Sequence, residues 1–385
     1  MRRTACTASG STAGAGCIPL GSRYPRRTRT SFTSAEVGAV YLERRDLHLK
    51  AEGDALVLYV RGKREGTLPI RPMERLVVVG NVTLEAAVLH RLARHGVSLL
   101  LLWGRRPRFS ARLQGRLHRN GALRVEQYRL SLQEDFRLAF SRSLVLRKLG
   151  AMRDLLSEVL SLRTDLTSTL RRALLRIEEG RGKAEGAQSV ESLRGHEGAA
   201  SAAYFEALSR LFPAGLSFRG RNRRPPKDPV NAMLSLCYTL LHWEMVREIE
   251  LAGLDPYIGF YHDFDYGRES LACDLVEPWR PEVDRLVWRL FTEEGFSKRH
   301  FRKEGEAFYL KKEGRSMLWP LYEGWAKERR PLWREEVRGL VRTLMAGQDP
   351  LSAGEERDLG EERWPFGAGD RAGEGPAEGP CEVDR

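Results

Sequence analysis

Between residues 38 and 122 apolar and polar positions alternate in short runs. "AVYLE", "LHLKA", "ALVLYV", "GTLPI" and "RLVVVG" are separated by turn-forming stretches such as "EGD" and "RGKREG", which predicts strands joined by tight turns. In "TLEAAVLHRLARHG", 83–96, the apolar spacing changes to i, i+3, i+4 and the run closes on glycine, predicting a short helix. "VSLLLLW", 97–103, is the longest apolar run; it is far shorter than the roughly 18–20 residues of a membrane span and reads as a buried strand. "FSARLQGRL" follows as another strand.

From about Val125 to Ala346 the pattern becomes helical. The stretch from "SLQEDFRLAF" to "ALLRIEEG" sustains a 3.6-residue period without proline, which predicts long helix. "GRGKAEGAQ", 180–188, is expected to loosen into a loop, and further helices are expected over 194–211, 228–252, 268–277, 281–294 and 316–345. The fold class is therefore α+β: an N-terminal β-sheet domain with one short helix over 38–122, then a larger all-α domain over 123–345. Residues 1–37, rich in Ser, Thr, Gly and Arg, are expected to be a disordered extension, and 346–385 a disordered acidic tail.

Composition adds a partner class. The 385 residues carry a net charge of +12. Leu351–Arg385 holds 10 Asp/Glu against 4 Arg, and residues 1–35 hold 6 Arg and no acid, so residues 36–350 keep +12. A basic body of this size suits a polyanion such as nucleic acid, although 54 of the 64 cations are Arg, as GC-rich coding also produces. Five cysteines, 6, 17, 237, 273 and 381, include no CxxC pair. That spacing argues for a reduced, cytoplasmic protein without structural zinc, and no apolar segment resembling a signal peptide follows Arg2 and Arg3.

Four stretches carry candidate chemistry. "LRGHEGAASAAYF", 193–205, sets Glu197 among small residues that permit close backbone approach; the plainer reading is an exposed Glu on a packing helix. "GFYHDFDYGRESLACDLVEPWRP", 259–281, puts His262 on a loop ahead of Asp274 and Glu277, which at i, i+3 share a helix face. One His with two or three carboxylates suits Mg²⁺ or Mn²⁺, whereas a solvated acidic face needs no metal. In "FRGRNRRPPKDPVNAMLSLCYTLLH", 218–242, Arg219, Arg221, Arg223, Arg224 and Lys227 lead into a helix that Asp228-Pro229 should start. Such a run grips phosphates or is simply a solvated loop. "MLWPLYEGWAKERRPLW", 317–333, places Leu318, Leu321, Tyr322 and Trp325 on one helix face, and core packing explains it.

Together the blocks "LRGHEGAASAAYF", "RNRRPPKDPVNAMLSLCYTLL", "GLDPYIGFYH" and "RESLACDLVEPWRP" resemble, in order, the CRISPR-associated adaptation integrase family, the universal metal-dependent spacer-acquisition nucleases. "LPIRPMERLVVVGNVTLEAAVLHRLARHGVSLLLLW" is similar to that family's β domain, and the likeness spans about 38 to 345. The resemblance implies a dimerising β domain and a helical catalytic domain with Glu197, His262 and Glu277 as ligands of Mg²⁺ or Mn²⁺. It places Asp274 close to the metal as a fourth catalytic residue, and leaves open which of Asp274 and Glu277 is the direct ligand. Arg268 and the 219–227 cations fall where DNA contacts are expected. His196 beside Glu197 is a departure that could compete as a ligand, and Asp263 beside His262 could orient its ring or interact electrostatically with the site.

The implied reaction is transesterification, in which the 3′-hydroxyl of a short double-stranded DNA fragment attacks a phosphodiester at a CRISPR repeat. The implied assembly is a homodimer joined by the family's small companion adaptation protein. Two other readings stay open from sequence: a metal-dependent nuclease selective for branched junctions, and a non-catalytic DNA-binding scaffold.

Overall fold

The computed structural model describes residues 38–44, 46–103, 108–115, 120–222 and 225–346; the expected extension 1–37 and the tail 347–385 lie outside them. The alternating N-terminal runs form β1 (Ala39–Leu42), β2 (Leu47–Glu52), β3 (Ala55–Val60), β4 (Lys63–Pro69), β5 (Arg75–Val79) and β6 (Val82–Leu84), then α1 (Ala86–Arg94), β7 (Ser98–Trp103) and β8 (Arg108–Leu113). They build two four-stranded sheets, ordered β1-β5-β7-β8 and β4-β3-β2-β6. One sheet under one helix was the simpler expectation. Leu49, Leu56, Leu76, Val78 and Leu99 pack between the sheets with Val88 and Leu92 of α1.

Strand β5 explains why "RLVVV" is not alternating. Every one of its residues is buried, because it has a core on each face. Leu76 and Val78 point to the inter-sheet core, while Val77 and Val79 join the larger core of the helical part. Period-two geometry puts Arg75 on that second face. There it meets Glu244 at 2.5 Å and Glu248 at 3.2 Å, and Arg330 reaches the same Glu244 at 3.0 Å.

The helical part comprises α2 (Gly121–Ser131), α3 (Glu134–Leu162), α4 (Thr167–Glu185), α5 (Val190–Ser209), α6 (Pro229–Leu251), α7 (Ser270–Val276), α8 (Arg280–Thr292) and α9 (Lys312–Met345). A hairpin of β9 (Phe301–Glu304) and β10 (Ala307–Leu310) interrupts it, so this part is not purely α. The long periodic stretch breaks at a 3-10 turn, Thr164–Leu166; Arg163 N still donates to Val159 O at 2.9 Å, and the Arg163 guanidinium bonds the Asp165 carboxylate at the break. Residues 180–185 remain helical. Gly180 serves close packing there: a Cβ would stand 2.9 Å from the Ala200 Cβ of α5. Asp228 caps α6 by accepting from Asn231 N at 2.8 Å with Pro229 at the first helical position, as its sequence predicts. Leu318 and Tyr322 are fully buried, in keeping with their core assignment. Among the described residues no helix is long and apolar enough to cross a membrane.

Candidate active site

Helices α3 and α5, the 259–263 loop and the segment after α7 converge on a cavity of about 310 Å³. Lys148, Glu197, Ser201, His262 and Glu277 line it, together with Arg194, Arg221, Arg280, Tyr238, Tyr261 and Asp284. A cleft of about 740 Å³ beside β1, β2 and the start of α9 is larger, but it gathers no histidine and its Arg315 is paired with Glu43. Chemistry favours the smaller cavity.

Glu197 enters from α5, whose start is set by Ser189 accepting from Ser192 N at 3.1 Å. Its Oε1 accepts from Ser201 Oγ at 2.6 Å and from Lys148 Nζ at 2.5 Å. The same Nζ lies 2.5 Å from Glu277 Oε2, and Arg280 Nε lies 2.9 Å from Glu277 Oε1. Burial pushes the Glu277 carboxyl up, but Arg280 and Lys148 outweigh it and bring the group down to about 2. For Lys148, burial works against the charge, and Glu277 and Glu197 overcome it, so its pKa is raised.

His262 is positioned by a buried carboxylate. Asp274, 0 % exposed, accepts from Phe260 N at 2.6 Å and Tyr261 N at 2.9 Å through Oδ2. Its Oδ1 takes His262 N at 2.9 Å and His262 Nδ1 at 2.7 Å. An anionic acceptor at Nδ1 holds the proton there and leaves Nε2 with a lone pair to offer a ligand. Gly259 makes this possible: a Cβ would come within 2.7 Å of Asp274 Oδ2, 2.8 Å of Ser270 C and 2.9 Å of Leu271 N. From outside, Arg137 donates to Phe260 O and to Asp263, and Arg194 donates to Asp263 at 2.7 Å and to Tyr261 O.

The donor set, two carboxylates and an imidazole nitrogen around one polar cavity, fits a hard divalent cation. Among the described residues no three His, Cys, Asp or Glu side chains are grouped as a ready-made metal cluster. Here a lysine ammonium supplies the positive charge between Glu197 and Glu277.

Residues 40–324 match the family model described as CRISPR associated protein Cas1. The chain belongs to the Cas1 family. A curated relative, the CRISPR-associated endonuclease Cas1 1 of Thermodesulfovibrio yellowstonii, is 47% identical over 319 residues, 82% of this chain and all of that one. The Cas1 3 endonuclease of Thermus thermophilus is 35% identical over 297 residues, 76% of this chain and 86% of its own length. The structure of a Cas1 protein from Thermotoga maritima superposes with a TM-score of 0.69 at 27% identity, covering 80% of this chain and 98% of that one. A casposase bound to its integration product shares the fold, with a TM-score of 0.68 at 20% identity over 81% and 92% of the two chains. The sequence-based assignment to an enzyme of the nuclease class therefore stands.

Within this Cas1-family site the sequence-derived residues fall into different places. Glu197, His262 and Glu277 meet at the cavity. Asp274 does not share a solvated strip with Glu277: it turns inward and uses both oxygens on the loop and the imidazole. Of the two roles open to Asp263, ring orientation falls to Asp274 instead, and Asp263 pairs with Arg194 and Arg137, which keep its carboxyl below the usual range. His196 bonds Ser192 Oγ at 3.2 Å one turn back on α5. Of the basic run, Arg221 turns into the cavity, and Arg219 and Lys227 are exposed, Lys227 lying 3.4 Å from Glu306. Arg268 lies 3.1 Å from Asp265, and Arg223 and Arg224 lie outside the described residues. Gly195 and Gly198 have open space around them, so they do not hold Glu197 deep in the fold. Four residues were missed: Lys148, Arg280, Tyr238 and Asp284. Lys148 carried a readable signal, a cation with apolar Leu144 and Met152 at i−4 and i+4, and it is the one charged residue among the buried positions of α3.

Proposed function

We propose that this chain is a Mg²⁺- or Mn²⁺-dependent DNA integrase and endonuclease that inserts short DNA fragments as new spacers into a CRISPR array. The observation that carries the reading is the pair Glu197 and Glu277, brought from separate elements to one ammonium beside a histidine whose Nδ1 is locked by Asp274. Glu197, His262 through Nε2 and Glu277 are the residues that would hold the ion. A divalent ion bound there supplies Lewis-acid polarisation of a phosphoryl oxygen and stabilisation of a developing 3′-alkoxide. Asp274 holds the imidazole in the ligating tautomer. Lys148 screens the two carboxylates from each other and, displaced from between them, remains available to neutralise phosphate charge.

In the reaction the 3′-hydroxyl oxygen of the fragment forms a new bond to phosphorus. The bond from that phosphorus to the repeat strand's 3′-oxygen breaks, and the leaving oxygen takes a proton while the attacking hydroxyl gives one up. Attack by water gives nicking instead. Arg219, Arg221, Arg223, Arg224, Lys227 and Arg268 are proposed to neutralise DNA backbone charge, which positions the duplex without reading its sequence. Residues 38–122 are proposed as a dimerising β domain and 123–345 as the catalytic domain. The working assembly is a homodimer with the small companion adaptation protein. Fold likeness supports strand joining only in outline, since the casposase caught with an integration product has the same fold.

The test is a joining assay with a labelled double-stranded fragment, a repeat-bearing plasmid, Mn²⁺ and the companion protein. A 3′-hydroxyl end is expected to join, and a 3′-deoxy end is not. Equal product from both ends would mean cleavage without transesterification.

A further inference from the structure

Among the described residues, none from 38–122 lines the catalytic cavity. Arg112 of the last strand, β8, nevertheless joins that part of the chain to the start of α7. Its Nη1 lies 2.6 Å from Glu269 Oε1, and its Nη2 pairs with Glu250 near the end of α6. The guanidinium also stands over the Trp243 ring, 5.4 Å from the centroid. Glu269 immediately precedes α7 and is buried. Its second oxygen lies 2.7 Å from His242 Nε2 of α6. Burial pushes the Glu269 carboxyl up, yet the hydrogen bonds from His242 and Arg112 outweigh it and hold the group below its usual range.

Helix α7 has only seven residues, too few to be stable in isolation, so its placement comes from its surroundings. Leu271 and Leu275 are buried in the core and fix its depth. Two polar ties at its start run to its own preceding loop, Leu271 N to Pro256 O at 2.9 Å and Ser270 Oγ to Asp263 O at 3.1 Å. Those bonds would move with the loop. The Glu269 carboxylate instead anchors the start of α7 to α6 and β8, which lie outside that unit. Further along the same helix, Asp274 holds His262 Nδ1 and three loop amides. A shift at Glu269 therefore passes to the imidazole.

We propose that Arg112 is a positioning residue: through Glu269 it fixes the start of α7, and with it the Asp274–His262 pair, from the β-sheet part of the chain. This rests on the reading of His262 as a metal ligand. It goes beyond that reading by making the β sheets a determinant of metal affinity, although they supply no ligand.

The experiment measures Mn²⁺ binding to the full chain by calorimetry, far below each variant's Tm, so that lost stability alone leaves the affinity unchanged. Arg112→Met removes the guanidinium and keeps an apolar stem against Trp243. Glu269→Gln keeps the side-chain length and replaces one acceptor by a donor. Each is expected to weaken Mn²⁺ binding about fivefold, the order of coupling through residues that do not touch the ligand. The double variant is expected to be no weaker than either single one. Glu250→Gln alters the other carboxylate partner of the same guanidinium, on α6 rather than at α7, and is the matched control. It is expected to stay within about twofold of wild type. Wild-type affinity in Arg112→Met, equal losses in Arg112→Met and Glu250→Gln, or additive losses in the double variant overturn the positioning role. Should Arg112→Met fail to fold, Glu269→Gln set against Glu250→Gln decides the matter, equal losses or none again overturning it. His262→Ala separates that outcome from a failure of the underlying reading. If it loses Mn²⁺ while Arg112→Met binds as wild type, only the positioning role falls; if it binds Mn²⁺ as wild type, the metal assignment falls and the positioning role with it.

Discussion

Replacing Lys148 with methionine probes the site most sharply, because one ammonium bridges two carboxylates at 2.5 Å each. Methionine approximates the length of the stem and removes only the charge. Glu277 would keep Arg280, and Glu197 would keep the Ser201 hydroxyl, so neither acid is left without a partner. Breaking a buried ion pair costs about 3–5 kcal/mol, and these remaining partners place Lys148→Met near the lower end, about 3 kcal/mol. For a domain of this size each kcal/mol lowers Tm by about 2–4 °C, so a fall of about 6–12 °C is expected in EDTA. Mn²⁺ should reverse the order of gain. A ligand at a hundred times its Kd stabilises by about 2.7 kcal/mol, and in wild type part of that is offset by displacing the ammonium. The variant is therefore expected to gain more from Mn²⁺ than wild type in a thermal melt. A variant that melts with wild type in EDTA, or an equal Mn²⁺ shift in both proteins, would refute the reasoning.

Three further perturbations test the support around the site. Gly259→Ala would drive a Cβ into Asp274 Oδ2 and the backbone of Ser270 and Leu271, an overpacking cost of about 1–3 kcal/mol; nuclease activity measured well below Tm should fall further than stability alone accounts for. Asp274→Asn offers an amide donor to His262 Nδ1 and favours the wrong tautomer, so calorimetry should find Mn²⁺ affinity lower by about 10–100-fold. Glu277 has a folded pKa of about 2 against a usual 4.5. Its contribution is therefore complete above pH 4.5 and lost as pH falls toward 2, about 3 kcal/mol in all. Urea melts in EDTA should show the wild-type advantage over Glu277→Gln shrinking across that window; a gap independent of pH would contradict the assigned charge state.

Local patterning made much of the fold legible. Alternation gave the strands because their two faces differ, and it blurred at β5, where both faces are buried. The α6 start was readable because Asp228-Pro229 acts through its own backbone neighbours. What failed were features that depend on a distant partner. Gly180 reads as a helix breaker until Ala200 stands against it. Asp274 and Glu277 read as one acidic face because their spacing is helical. They part only because the 259–262 loop folds over α7 and presents three amide N–H groups to Asp274, while Glu277 falls just past the end of that helix. Lys148 and Asp284 lie outside every block singled out in the sequence for its chemistry, and only packing brings them to Glu197 and Tyr238.

The central claim is that Glu197, His262 and Glu277 hold a divalent cation. Crystals soaked in MnCl₂ and measured at the manganese absorption edge test it directly. The account predicts an anomalous peak between the two carboxylates and His262 Nε2, with Lys148 Nζ moved out from between them. A manganese-loaded crystal with no peak at that position, or with its peak elsewhere and Lys148 still bridging Glu197 and Glu277, would contradict it.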